Sequence, residues 1–212
     1  MSLPNAENNM NIFTKDFTPP TELITDTFCI FPTSDKFYQS DYVTVMRNAS
    51  MLRIWSQSSW PEDDFTPQQN KADLAQHIDD NHTHAAYGFM IYSPDHSKCY
   101  GSVYVNPISN VAENYIVNVD EKKIIDAHHA RIDYWVIEED SHLEKEITQK
   151  LKNWFNDTWK IKTLFSARLG LEKRLYVYRE LNYSCQLNLK SKTSDMSLLL
   201  FSAKESHLNL IK

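Results

Sequence analysis

Glycine is scarce in this chain: three in 212 residues, at Gly88, Gly101 and Gly170, where globular proteins average ~7%. Glycine lets backbone N–H groups approach a phosphate closely, so the shortage argues against Walker or Rossmann nucleotide loops. Cysteine is sparse too. Cys29, Cys99 and Cys185 stand far apart among apolar neighbours, which reads as reduced packing thiols rather than a disulfide frame or thiolate metal site. No apolar run approaches the ~18–20 residues that cross a bilayer. Residues 1–20 lack the basic-then-apolar order of a signal peptide. Positive charge is not in excess either: the formal net charge of −6 offers no general attraction to nucleic acid or an anionic membrane. The expectation is a cytoplasmic protein, monomer or homodimer, with neither nucleic acid nor membrane as partner.

The length suits one domain with a sizeable core. Residues 1–22 are polar and rich in Pro and Asn and are expected to form a loose lead-in, with 23–212 a single domain. Leu23–Phe31 is a β-like run. Tyr42, Val45, Met46 and Ala49 follow a helical period within 38–52. Thr66-Pro67-Gln68-Gln69 is a helix start with cap, N-terminal proline and capping box. Two β-rich runs, 85–92 and 98–105, flank turn chemistry at 93–97 and predict a hairpin. Residues 106–129 read as a long polar connection, and Arg131–Ile137 as a strand. Ser141 and Glu144 have capping-box spacing ahead of Leu143, Ile147, Leu151, Trp154 and Phe155, an amphipathic helix. A strand at 161–166, a helix at 171–181 and strands at 183–189 and 197–201 complete the order. It is α+β: a mixed, mostly antiparallel sheet flanked by helices.

That order, with several residues at matching places, resembles the GNAT N-acetyltransferase superfamily. "YSPDHSKCYGSVYV" resembles its second hairpin, with Gly101 at the glycine position. "HHARIDYWVI" resembles its fourth strand, and Tyr178–Tyr183 (YRELNY) the end of its fourth helix. Trp60-Pro61, Asn70–His77 (NKADLAQH) and Gly101-Ser-Val-Tyr104 are similar to bacterial GNAT-like proteins. The resemblance spans about 23–202 and implies acyl transfer from acetyl-CoA to an amine, here a small amine. Such chemistry needs a base for the amine, donors for the thioester oxygen and an acid for the leaving thiolate.

Carried over by residue, the resemblance implies Tyr178 as the acid, though Tyr178 also lies on the apolar stripe of its helix and reads equally as core. It implies Val136 and Ile137 against the acyl arm, and Ser141 and His142 at the pyrophosphate, with Arg168, Lys173 and Arg174 as further CoA contacts. Where the family's fourth strand often carries glutamate stands Arg131. Asp133, two residues on and facing the same way, is either a displaced base or an ion-pair partner of Arg131. His129, beside His128, has the titration range of a base or is simply solvated. The stretch Glu138-Glu139-Asp140-Ser141 lacks the family's phosphate-loop glycines. Its acids would repel a pyrophosphate by ~1–3 kcal/mol each, against a helix-dipole benefit of ~0.3–1 kcal/mol. This opens a second reading, a GNAT-like binding domain without acetyl-CoA chemistry.

Two other clusters carry residue types suited to binding. His77, Asp79, Asp80, His82 and His84 are rich in metal-ligating types but lack metalloprotease spacing and a cysteine; no metal is expected. Trp55, Trp60 and Asp63 lie between the first two helices, where the resemblance implies the acceptor binds. Aromatic rings beside acids suit a cationic amine, and they equally suit a loop anchored by its tryptophans.

Overall fold

Runs of β-branched and aromatic residues bounded by turns fold as one eight-stranded sheet in the order β1-β2-β3-β4-β5-β6-β8-β7. A computed structural model describes residues 10–203. The strands are β1 (Leu23–Ile24), β2 (Cys29–Pro32), β3 (Tyr87–Tyr92), β4 (Cys99–Pro107), β5 (Ala130–Val136), β6 (Thr163–Ala167), β7 (Tyr183–Lys190) and β8 (Ser197–Ala203). All pairings are antiparallel except β5 with β6. The helices are α1 (Tyr38–Arg47), α2 (Ala49–Ser56), α3 (Pro67–Thr83), α4 (Val111–Asn114), α5 (Val119–Asp126), α6 (Glu144–Asn153) and α7 (Glu172–Glu180).

Alternation along the strands divides the core. Tyr87, Phe89 and Ile91 of β3 and Ile132, Tyr134 and Val136 of β5 pack with Ile147, Leu151, Phe155 and Tyr178 beneath α6 and α7. On the opposite face Trp135 joins Val45, Leu52 and Phe65, and Met90 and Tyr92 join Leu74 of α3. Gly101 has φ +154, and a Cβ there would lie 1.9 Å from the Trp135 carbonyl oxygen, so the β4–β5 approach requires glycine.

The Thr66–Gln69 capping box forms on both sides. The expected Ser141–Glu144 box does not. Residues Glu138–Leu143 make a 3₁₀ turn, Ser141 accepts from Lys173, and Glu144 is drawn to Arg174. A buried cation outcompetes the local cap for that carboxylate. The connection 106–129 also departs from expectation. It holds α4 and α5, the latter with its own Asn118–Glu121 capping box, and buries Ile108, Val111 and Ile125 against β6, β7 and β8.

Within the expected lead-in, residues 10–22 are described, and they are not loose. Ile12 is 1% exposed, its carbonyl accepts from the Tyr87 hydroxyl at 2.5 Å, and Phe13 and Phe17 stack around Tyr87 and Trp159. Apolar residues spaced inside a polar segment were enough to dock it. Ile12→Ala should therefore lower the unfolding free energy by about 2–5 kcal/mol in urea denaturation; a loss near zero would show that this segment contributes nothing to the core.

Candidate active site

β5 and β6 pair only at Ala130–Thr163, Arg131–Leu164 and Ile132–Phe165. β5 then continues on β4 as far as Val136, while β6 continues on β8. The β5 edge past Ile132 is therefore left without a strand partner. The Tyr134 carbonyl on this stretch accepts from Trp55 Nε1 at 2.8 Å and from Arg174 Nη1 at 2.9 Å. Arg174 comes from α7, donates through Nε to Glu144 of α6, and lies 3.6 Å over the Tyr134 ring centroid. Both side chains of that ion pair are buried.

Two cavities open around this point, and α2 lends residues to both. The smaller, about 380 Å³, is lined by Met51 and Ile54 of α2, by Val136, Glu138, Ser141 and Glu144, and by Gly170–Arg174. The larger, about 460 Å³, lies over the other face of β4 and β5. Its floor is Ser102, Tyr104 and Asn106 of β4 and Arg131, Asp133 and Trp135 of β5; its walls include Asp41, Trp55, Trp60, Asp73 and His77; and Arg168 enters from the end of β6. Period-2 alternation puts those six strand residues on one face, and the register pairs Tyr104 with Asp133 and Asn106 with Arg131.

Asp133 is saturated. It accepts from Arg131 Nε (2.6 Å), Asn106 Nδ2 (2.9 Å), Ser166 Oγ (2.5 Å) and Arg168 Nη2 (3.4 Å). Burial alone would raise its pKa, but the two guanidiniums and the serine bond outweigh burial and hold it at about 2. It is an ion-pair partner, as one of the two sequence readings had it, and a poor proton acceptor. His77, 4.9 Å ring to ring from Tyr104, has its pKa lowered by burial, and neither ring nitrogen has a hydrogen-bond partner among the described residues. Asp41 is 3% exposed, and burial lifts its carboxyl to about 6 despite the Asn70 hydrogen bond.

The other expected residues fall as follows. Tyr178 is fully buried, stacked on Tyr183, and its hydroxyl donates to the Ser166 carbonyl at 2.9 Å. Burial raises its pKa well above the ordinary value, and it sits in the core with a satisfied hydroxyl, lining neither cavity. His129 is at neither cavity; its Nδ1 accepts from the Lys162 N–H, and burial lowers its pKa. Arg168 lines the larger cavity and not the smaller. Val136, Ser141, Lys173 and Arg174 line the smaller one, with Lys173 donating to Ser141 at 2.9 Å. Ile137 is buried behind them and His142 is exposed. Trp55 and Trp60 line the larger cavity, and Trp60 Nε1 donates to Asp73 at 3.2 Å. Asp63 does not line it: its side chain is 95% exposed and paired with Arg53. The acids of the junction are partly met by Lys98, 2.6 Å from Asp140 and 3.4 Å from Glu139, and the Glu138 N–H is taken by Asn48. Among the described residues no three His, Cys, Asp or Glu converge on a metal position, and no helix is long and apolar enough to cross a membrane. Sequence reasoning missed His77 and Tyr104 as cavity residues. The signal was present, since both sit in the quoted Asn70–His77 and Gly101–Tyr104 motifs.

Strand order, the parting of β5 from β6, and the helices on both faces make this the GNAT acetyltransferase fold. A putative ribosomal-protein-serine acetyltransferase from Vibrio cholerae superposes with TM-score 0.65 at 12% identity, over 89% of this chain and 100% of that one. The microcin C7 self-immunity acetyltransferase MccE, solved with acetyl-CoA and AMP, gives 0.63 at 16% identity, over 87% and 96%. Apo RimL, a ribosomal L7/L12 alpha-N-protein acetyltransferase, gives 0.61 at 14%, over 84% and 91%. No protein-family model matches the chain, and no curated protein does.

Two measurements check this geometry. Arg174→Ala leaves Glu144 buried and unpaired and should cost about 3–5 kcal/mol in stability, read by denaturant unfolding; a change within error would mean that the pair is solvated. Asp41 has a folded pKa near 6 against 3.8 for the unfolded group, so the folded state binds its proton more tightly. Its contribution is complete below about pH 4 and is lost as pH rises through 6, a fall of roughly 3 kcal/mol. The difference in unfolding free energy between wild type and Asp41→Asn should follow that curve, and a difference flat across pH 4–7 would contradict it.

Proposed function

We propose that this chain is an acetyl-CoA-dependent N-acyltransferase acting on a small amine, with the larger cavity as acceptor site and the smaller as the cleft for the acyl-CoA arm. The observation that carries the reading is a cavity on each side of the unpartnered edge of β5, each lending one donor, Trp55 or Arg174, to the Tyr134 carbonyl, with His77 among acids and aromatic rings in the larger one. The shared fold supports the reaction class. The volume of the larger cavity, about 460 Å³, suits a small acceptor, although two of the similar structures are named as acetyltransferases of ribosomal proteins.

The residues of the smaller cleft fit the arm of the co-substrate better than its phosphates. Val136 offers an apolar floor, and Ser141 and Lys173 supply a donor pair at the mouth. Glu138 and Glu172 oppose a pyrophosphate, and the Tyr134 carbonyl is free to a ligand only when Arg174 or Trp55 leaves it. Acetyl-CoA, when bound, supplies the acyl group as a thioester. On the acceptor side, Trp55, Trp60 and Tyr104 hold the apolar body and stabilise an ammonium through their ring faces. His77, uncharged at neutral pH, accepts the proton that the amine must lose before attack.

One observation favours a second reading. The buried Arg174–Glu144 pair fills the space beside Tyr134, and together with the acidic junction it suits a GNAT-fold binding domain without acyl transfer. Calorimetric titration with acetyl-CoA separates the two: the enzyme reading expects saturable binding below millimolar concentration, and no heat at millimolar concentration leaves the binding domain. In the enzyme, kcat/KM for acetyl transfer should show an acid limb below pH 6.5, where the ordinary histidine pKa lies. His77→Gln should remove that limb and reduce kcat by about 10²–10⁴-fold with stability unchanged; a retained limb would exclude His77 as the base.

A further inference from the structure

The larger cavity is electrically two-ended. At one end Asp133 stands between Arg131 and Arg168, one carboxylate for two guanidiniums, so this end carries a surplus positive charge. The surplus also has free donors. Arg131 gives only Nε to Asp133, and its terminal nitrogens have no acceptor among the described residues. Arg168 is 8% exposed, holds Asp133 and the Ala167 carbonyl only by bonds of 3.4 and 3.3 Å, and its buried Nε has no partner. A buried guanidinium nitrogen without an acceptor is costly unless a ligand or water supplies one. Asp133 cannot serve further, since serine, asparagine and both arginines already use its oxygens.

The other end is acidic and aromatic, with Asp73 receiving the Trp60 indole and His77 packed on Tyr104. The two ends are one cross-strand step apart, because Tyr104 is the register partner of Asp133. A simple amine would satisfy the His77 end and leave the arginine donors bare. A phosphate dianion would exceed the single surplus charge and face Asp41 and Asp73 on the walls. A planar carboxylate matches the guanidinium fork in both geometry and charge.

We propose that the ligand of this cavity is a small zwitterion of the amino-acid type, its carboxylate taken by Arg131 and Arg168 and its amine turned towards His77 and Asp73. This rests on the reading of the cavity as acceptor site and narrows its substrate class from amines to amines that carry a carboxylate. A peptide or protein N-terminus, whose amine has no neighbouring carboxylate, is excluded from this role.

The test is binding to the full chain without acetyl-CoA, so that failure of CoA binding cannot be mistaken for failure here. The twenty L-amino acids are screened singly by thermal shift, and any that raises Tm is titrated calorimetrically beside its decarboxylated amine and its amide. At least one amino acid should bind, with the amine and the amide at least about tenfold weaker, as loss of charged hydrogen bonds requires. Arg168→Gln should remove that preference, and Arg168→Lys should keep part of it. If none of the twenty binds, or if amine and amino acid bind alike in the wild type, the proposal is overturned, whether or not the variants fold.

Discussion

The parting of β5 from β6 after Ile132 is the constraint on which the rest of the structure depends. A parallel pair that ran its full length would satisfy the β5 edge with backbone bonds and leave no room between the strands. Because β6 turns to β8 instead, polar backbone of β5 faces the interior and needs other partners. Trp55 from one helical layer and Arg174 from the other supply them at Tyr134. Arg174 in turn demands Glu144, which fixes where α6 begins. The helix layers are thus registered on the sheet through one peptide group as well as through apolar packing.

That arrangement explains which features were legible in the sequence and which were not. Strand and helix order could be read because each element carries its own period, and the Thr66–Gln69 box because both of its members are local. The Ser141–Glu144 box looked equally good in one dimension. It failed because Glu144 has a three-dimensional partner thirty residues away that no local pattern reveals. Tyr178 shows the same limit: the helical stripe and the family position make opposite suggestions, and neither reveals the Ser166 carbonyl that its hydroxyl bonds in the core.

The site was half visible. Alternation puts Arg131 and Asp133 on one face, and Trp55 and Trp60 are expected near the acceptor; the structure sets Trp55 inside α2 and Trp60 beyond its end. Arg168, expected among the CoA contacts, lines the larger cavity; its place at a βα junction does not say on which side of the sheet its side chain falls. His77 ends the Asn70–His77 motif, but its own chemistry is read only within a metal-like cluster. Folding disperses that cluster: His77 turns to the cavity while His84 bonds Tyr87. Residue types that suggest a shared ligand when adjacent in sequence need not share a direction on a helix, where successive positions are about 100° apart.

The carbonyl of Tyr134 has two lone pairs, and both are used, one by a residue from the wall of each chamber. That makes a single oxygen atom the junction of a linked equilibrium. A molecule in the smaller chamber that draws Arg174 away changes what Trp55 must satisfy, and a molecule in the larger chamber that moves Trp55 changes the hold on Arg174. Any free energy that one occupant gains or loses through this exchange is felt equally by the other, since coupling between sites is reciprocal. Two ligands would then help or hinder each other through one shared acceptor, with no movement of strands or helices required.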